Sequence, residues 1–440
     1  MHTPAIFFLA MCSNITVKGV SPLRNNFIKQ THTMTSLTRY CLLALLTCLC
    51  CCTTENTDPP TTTEKSLEDL QEGILRFSYD QLTTLAREEE DNVIVSPLSI
   101  LSALSMACEG AEGATYDQMI QTLHLAPVSP DQSILYEQLL HKFDNEMTNS
   151  ELGIANAVFS DPNRIELSTD YKAATRAYYA ADQSELDFGT AAAVDDINKW
   201  VANATNDRIP KVLDQISADE ILFLINALYF KGDWANGFPQ SNVSDRVFTK
   251  LDGSTTMALS MYQDSYYANT STEEYTAVEL YFKDSIYSMS FILPSAENTP
   301  MSLLEKYSSD SYLNLLQSID DGMVNSRVFL QIPKMELTGS YSLKESLQSM
   351  GMTDAFDSSS ADFNSMGKGG GNIYLSRVLH DVYLMVDDKG VEGAAATTVG
   401  VALTSAPPSI SFDKPFLFIL KHRESNVPIF MGIIRDPTLD

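Results

Sequence analysis

Beyond residue 52 the 440-residue chain has a single cysteine, Cys108. One thiol cannot form an intrachain disulfide, so most of the chain must hold its fold by packing alone. Cys108 lies in the run Leu104-Ser-Met-Ala-Cys108, on a predicted buried helix where a thiol serves as a small hydrophobe rather than a reactive group. Positive charge is also scarce: 29 Lys and Arg face 57 Asp and Glu, a net charge of −28. That excess argues against nucleic acid, heparin-type polymers and anionic membrane surfaces as partners. The stretch from Asp131 to Glu146 offers no cationic stripe either: Lys142 and His141 stand among Asp131, Glu137, Asp144 and Glu146. There is no Gly-x-Ser-x-Gly elbow, no His-Glu-x-x-His pair and no phosphate loop, so no enzyme motif is present. Gly367-Lys-Gly-Gly-Gly371 reads as a flexible turn before a strand at Ile373.

What the chain does have is concentrated between Asp388 and Pro408, DKGVEGAAATTVGVALTSAPP. The stretch leaves a strand-like run, Tyr383 to Val386, and ends before a second one, Ile410 to Leu420. Between them lie about twenty residues that are small, β-branched or glycine, with no charge after Glu392. A solvated loop of this length would be rich in Asn, Asp, Ser and Lys. A helix would repeat apolar residues every three or four positions, and none do. Gly393, Ala394, Ala395, Ala396, Thr397, Thr398 and Val399 have side chains small enough to slide between two strands. Long loops without internal structure are usually functional, and this one reads as a loop that can become a strand.

Asp388-Lys-Gly-Val-Glu-Gly-Ala-Ala-Ala396 resembles the hinge of the serpins, which runs acid, x, Gly, small or Thr, Glu, then an alanine-rich stretch. Two positions depart from that pattern. Asp388 stands where the family usually has Glu, and Val391 where Thr or Ser is commoner. The resemblance extends from about Lys65 to the C-terminus. Asn92-Val-Ile-Val-Ser-Pro-Leu-Ser-Ile100, Gly110-Ala-Glu-Gly-Ala-Thr115, Ile197-Asn-Lys-Trp-Val201 and Leu224-Ile-Asn-Ala-Leu-Tyr-Phe-Lys-Gly-Asp-Trp234 follow in the family's order. So do Ile332-Pro-Lys334, Leu343-Lys-Glu-Ser-Leu347, Ala361-Asp-Phe363, Phe412-Asp-Lys-Pro-Phe416 and Phe430-Met-Gly432. The resemblance implies an α+β serpin fold of three β-sheets, about eight to nine helices and an exposed reactive-centre loop at 388–408. Length and a 44% hydrophobic share fit one large mixed domain over residues 65–440, with no internal linker or repeat.

The N-terminus is separate. Arg39 precedes an apolar run, Tyr40-Cys-Leu-Leu-Ala-Leu-Leu-Thr-Cys-Leu-Cys-Cys-Cys52, and a Thr-rich linker at 53–64 follows. Charge, short apolar core and small-residue boundary describe a secretory signal over 34–52, too short to span a membrane. Residues 1–33 have no signal character and read as an upstream misread, with Met34 as the start. The cysteines at 48 and 52 resemble a bacterial lipoprotein signal, which leaves two readings open, a lipid anchor or an ordinary Cys-rich signal peptide. The expectation is an extracellular or cell-envelope protein, a bacterial secreted or lipoprotein member of the family.

By resemblance, Ser96, Ser99, Asn226 and His380 form a hydrogen-bonded cluster beneath the centre of the main sheet, where strands part to admit the loop. A catalytic serine–histidine pair is the rival reading of the same residues. Lys334 pairs by resemblance with the acid at the top of the strand entering the loop, here Asp388. Asp is one methylene shorter than Glu, so direct contact, a bridging water or no contact all stay open. Trp234 lies near the point of loop entry, at the end of the apolar run Ile221–Phe230. Ile197, Trp200, Val201 and Ala204 recur at helical spacing, one face of an amphipathic helix that by resemblance crosses the main sheet.

Serpin inhibitors usually place the bond cleaved by the protease seventeen residues into the loop, counting the hinge acid as the first, which by resemblance gives Thr404, with Ser405 on the leaving side. Thr404, Val401 and Ala402 suit elastase-like pockets, and Leu403 suits papain-like or, with a shift of one residue, subtilisin-like proteases. The function implied is a suicide-type inhibitor, a monomer without cofactor that forms a covalent complex with a serine or cysteine protease. The hinge residues are Asp388, Gly390, Val391, Glu392, Gly393, Ala394, Ala395 and Ala396. The alternative is a non-inhibitory serpin acting as a binding module or a protease substrate. Those members often carry charged or bulky residues where this chain has Ala394 to Ala396.

Overall fold

The protein, as a computed structural model, is described over residues 62–125, 132–145, 150–391 and 407–439, which belong to one compact unit, Pro60–Asp440. Its strands are β1 (Val93–Val95), β2 (Ser150–Ser160), β3 (Ile165–Leu167), β4 (Asp182–Glu185), β5 (Leu222–Asp233) and β6 (Val243–Thr249). Next come β7 (Thr255–Ser271), β8 (Tyr275–Tyr281), β9 (Tyr287–Pro294), β10 (Val324–Pro333), β11 (Met335–Ser342) and β12 (Gly367–Gly369). The last are β13 (Leu379–Val386), β14 (Gly390–Val391), β15 (Ser409–Ser411), β16 (Phe416–His422) and β17 (Pro428–Ile434). Nine α-helices are present among the described residues.

The largest sheet has nine strands, ordered β1-β17-β16-β9-β8-β7-β10-β15, with β6 on the early part of β7. β7 is 17 residues long, enough to serve several neighbours: residues 255–261 pair with β6, residues 260–269 with β10 and residues 268–271 with β8. β16 and β17 are buried at every position. Such continuous apolar strands need cover on both faces, and the helix Pro97–Cys108 supplies it by packing between β17 and β5. Nearly all of that helix is buried, which its composition, PLSILSALSMAC, requires. Ser96 caps it by accepting a hydrogen bond from the Ser99 N–H, and Pro97 supplies a preset backbone angle at the first turn.

Opposite lies a sheet in two pieces: β14-β5-β2-β4 and β11-β13. β5 pairs with β2 along its whole length and β13 with β11, but β5 and β13 share no ladder. The three sheets implied by the resemblance are thus drawn differently. Two are fused through β7, and the third stands open. In β13 the even positions His380, Val382, Leu384 and Val386 are buried while the odd ones are part-exposed, the alternation of a strand with one covered face. In β5, Leu228 and Phe230 face the main core, while Phe223, Ile225 and Ala227 face two small separate clusters with Ile197 and Val201 of the helix Ala191–Ala204.

Three expectations shift. The strand placed at Ile373 begins six residues later, at Leu379, and Gly367–Gly369 is itself a short strand paired with β3. Residues 372–378 join no ladder, and 372–377 line a cavity of about 470 Å³ instead. The run from Ile410 to Leu420 is two strands, β15 and β16, separated where Pro415 removes a backbone donor. The first helix, Thr62–Glu88, starts three residues ahead of Lys65.

Candidate functional site

The open seam between β5 and β13 is the centre of the site. A cavity of about 90 Å³ lies along it, walled by Leu224 and Asn226 of β5, His380 of β13, Ser99 and Leu104 of the helix beneath, and Val201 of the helix across it. Among the described residues, β13 and the part of β5 not paired with β14 turn edges without a ladder partner towards it, and such edges are costly unless something occupies them.

His380 is buried, and burial pulls its pKa down from 6.5 to about 3. The ring is therefore neutral, and its Nε2 accepts a hydrogen bond from the Ser96 backbone N–H at 3.0 Å. Its face stacks near Tyr341, whose hydroxyl accepts from the Ile94 N–H at 3.1 Å. Ser96 presents its backbone, not its hydroxyl, to His380, so no nucleophile and base are aligned. Asn226 stands elsewhere. Its Nδ2 donates to Asn156 Oδ1 at 2.9 Å, and Asn156 Nδ2 donates to the Tyr179 carbonyl at 2.8 Å. Of the four expected residues, Ser96, Ser99 and His380 are therefore linked directly, and Asn226 reaches β2 instead. The Asn226 Oδ1 is buried and has no partner among the described residues.

Asn156 and Asn226 were legible as a pair only in hindsight. Each is a lone amide in an apolar strand, and the register places them opposite one another. A buried amide demands such a partner, but which strand supplies it is a matter of pairing.

At the upper end the chain turns from β13 into β14 through Asp387, Asp388 and Lys389. Lys334 Nζ lies 2.6 Å from Asp388 Oδ1, so the shorter acid reaches its partner directly. Trp234 is buried and stacked on Phe282 with 4.7 Å between centroids. Its Nε1 donates to the Asp387 carbonyl at 3.0 Å and its backbone N–H to the Lys389 carbonyl at 2.9 Å. Asp387 Oδ1 accepts from the N–H groups of Lys389 and Gly390, a side chain mimicking a turn. Gly390 has φ +151°, and a Cβ there would sit 2.1 Å from the Gly232 carbonyl oxygen, so no larger residue fits. From it β14 starts an antiparallel ladder on β5, with Gly390 opposite Asp233 and Val391 opposite Gly232.

On the helix Ala191–Ala204, Ile197 and Val201 are buried against the sheet. Trp200 is half-buried, edge-on to Phe159, and donates to Asp182 Oδ2 at 3.0 Å. Cys108 is buried, and burial raises its thiol pKa far above the ordinary range, which keeps it inert. Glu392, Gly393, Ala394, Ala395, Ala396, Val401, Ala402, Leu403, Thr404 and Ser405 lie outside the described residues, as does the stretch 34–52 expected to be a leader.

A family model described as serpin (serine protease inhibitor) matches residues 72–437. Leukocyte elastase inhibitor of Xenopus laevis is 30% identical over 380 residues, 84% of this chain and 100% of that protein. Glia-derived nexin of Homo sapiens is 32% identical over 356 residues, 79% of this chain and 88% of that protein. Among solved structures, the native state of the thermophilic serpin tengpin superposes with a TM-score of 0.73 at 27% identity, covering 85% of this chain and 94% of that one. An open seam under a hinge, borne on this architecture and matched over this length, identifies the chain as a member of the serpin family.

Proposed function

We propose that the protein is a suicide-type inhibitor of serine proteases, with papain-like cysteine proteases as a second target class, that traps its target by inserting the cleaved loop between β5 and β13. The observation that carries this reading is the seam itself: among the described residues β5 and β13 share no ladder, and a cavity lies between them where a strand would fit. The protease's nucleophile adds to the carbonyl carbon of Thr404. The amine of Ser405 leaves as a new N-terminus, and the acyl ester or thioester remains. The freed loop then continues the ladder begun at β14. A protease dragged to the far end loses oxyanion donors, each worth roughly 10²–10³ in rate, so the acyl bond persists. The energy comes from a native sheet left incomplete behind a kinetic barrier.

Two registers support one placement of the inserted strand. Stepping on from Val391 opposite Gly232, Thr397 comes level with Asn226. Stepping on from the turn, where the Asp387 N–H donates to the Gly390 carbonyl, Thr397 comes level with His380. The Thr397 hydroxyl can then donate to the buried Asn226 Oδ1 that lacks a partner. In the inserted strand Gly393, Ala395 and Thr397 would then face the main core, and Ala394 and Ala396 the helix Ala191–Ala204. Glu392 falls opposite Lys231, a cross-strand pair of opposite charge.

The Xenopus relative is named for leukocyte elastase, and Thr404, Ala402 and Val401 suit an elastase-like pocket, with subtilisin-like enzymes reading Leu403. Export by the leader at 34–52, with an anchor at Cys48 or Cys52 if it is lipidated, places the monomer at the cell envelope or outside it. The position of the bait is tested by Thr404→Arg, which is expected to redirect inhibition towards trypsin-like proteases, with the released peptide beginning at Ser405. No gain against trypsin would show that another bond is used.

A further inference from the structure

At the end of the seam away from the hinge, the two strands are tied together by side chains. Glu220 stands two residues before β5, and Arg377 two residues before β13. Arg377 Nη2 donates to Glu220 Oε2 at 3.1 Å, and its Nε lies 2.5 Å from Oε1 but out of line for a hydrogen bond, an ion pair held by one hydrogen bond. The Glu220 side chain is only 2% exposed. Its carboxylate also accepts from the Ser217 N–H at 2.6 Å and from Ser376 Oγ at 3.4 Å, so both entering segments converge on it. Arg377 donates to the Gln215 carbonyl and lies over the Phe223 ring, 5.4 Å from its centroid. Arg164 holds the Glu220 carbonyl at 2.8 Å. Arg377 lines both the 90 Å³ cavity in the seam and a separate one of about 470 Å³ at this end.

We propose that the Glu220–Arg377 pair is a latch at the foot of the seam, and that these two positioning residues set the rate at which a strand enters between β5 and β13. This rests on the loop-insertion reading above. An inserted strand moves its two neighbours to ~9.6 Å apart, twice the spacing of paired strands. Contacts of 2.5 and 3.1 Å between the segments feeding those neighbours do not survive that movement. The extended registers place the latch level with residues 400–403, the last part of the loop to enter. The upper seam can therefore open while the foot stays shut. Breaking the pair leaves the carboxylate and the guanidinium without an opposite charge, one of them deeply buried, which is the expensive way to lose a buried ion pair. The latch thus keeps the intact loop out and is the last contact to give way after cleavage.

The test uses the intact exported domain and a fluorescent synthetic peptide of sequence GAAATTVGVALT, the loop from Gly393 to Thr404, whose uptake into the seam is followed in time. Arg377→Met and Glu220→Gln are each expected to take up peptide at least ~10-fold faster than wild type, about 1.4 kcal/mol in the barrier. The double variant should be no faster than the faster single, since the two residues act as one contact. Leu303→Ala, in the buried helix Pro300–Leu304, controls for general loosening and should leave the rate near that of wild type. Single variants at the wild-type rate, additive gains in the double variant, or equal acceleration by Leu303→Ala would each overturn the latch. If wild type takes up no peptide and forms no protease complex, the insertion reading itself fails and the latch with it.

Discussion

β16 and β17 are paired on both sides and buried at every position, whereas β5 and β13, one helix away, share no ladder among the described residues, and β14 covers only the last two residues of the β5 edge. The two regions divide the work. The nine-stranded sheet spends its large apolar side chains on packing and leaves no room for change. The parted sheet keeps small residues, a cavity and an unsatisfied amide oxygen at its centre. A complete sheet is stable. An incomplete one whose missing strand is carried in the same chain is poised to change.

The sharpest way to break this contrast is to complete the parted sheet. Cleavage near Thr404 should let the loop enter and raise the melting midpoint by more than ~15 °C, given about 2–4 °C per kcal/mol for large domains. Circular dichroism before and after the nick measures it, and equal midpoints would show that the seam stores nothing.

Next in size is a charge placed on the loop. Ala395 lies opposite Leu228 and Val382 in the extended register, both buried, so Ala395→Arg would carry an unpaired guanidinium into the core of the inserted state only. The amount of inhibitor consumed per protease trapped should rise roughly 10-fold, because a cost of ~1.4 kcal/mol on insertion shifts the partition by that factor. Ala394→Arg, facing the other side, should cost less. Equal effects at the two positions would contradict the register.

A third prediction concerns His380. Its folded pKa of about 3 lies below the ordinary 6.5, so the unfolded chain binds a proton that the folded chain refuses. The stabilisation is full above about pH 6.5 and is lost as pH falls towards about 3, at up to ~1.4 kcal/mol per pH unit. His380→Gln, which can still accept from the Ser96 N–H, should flatten that dependence in denaturant titrations between pH 7 and 5. Matching slopes would mean that His380 is not held neutral. The smallest effect on stability is expected at the upper end of the seam. Asp388 is buried and the Lys334 head only part-exposed, so Asp388→Asn, which keeps the side chain's shape and one acceptor oxygen, should cost about 1.5 kcal/mol. A loss of several kcal/mol would make that contact, rather than the seam, the controlling one.

Much of this was readable before any coordinates. The hinge announced itself because small residues, a glycine and an absence of charge are a local requirement of a loop that must enter a sheet. Gly390 and Asp388 occupy the places their motif implied. What could not be read was pairing across distance. Asn226 meets Asn156 because β2 and β5 align in one register, and one residue of slip would send it to the other face. Glu220 and Arg377 are 157 residues apart and belong to no motif, so only the meeting of two strand entries reveals them. The strand expected at Ile373 failed for the same reason: residues 372–378 have strand-like character but no partner edge.

The central claim is that the missing strand of the parted sheet is the cleaved loop with a protease attached. Mixing the exported domain with elastase-like and subtilisin-like proteases and resolving the products by denaturing electrophoresis tests it most directly. The account predicts an SDS-stable covalent complex together with a released C-terminal peptide beginning at Ser405. Complete cleavage of the loop with free, active protease and no stable adduct would contradict it.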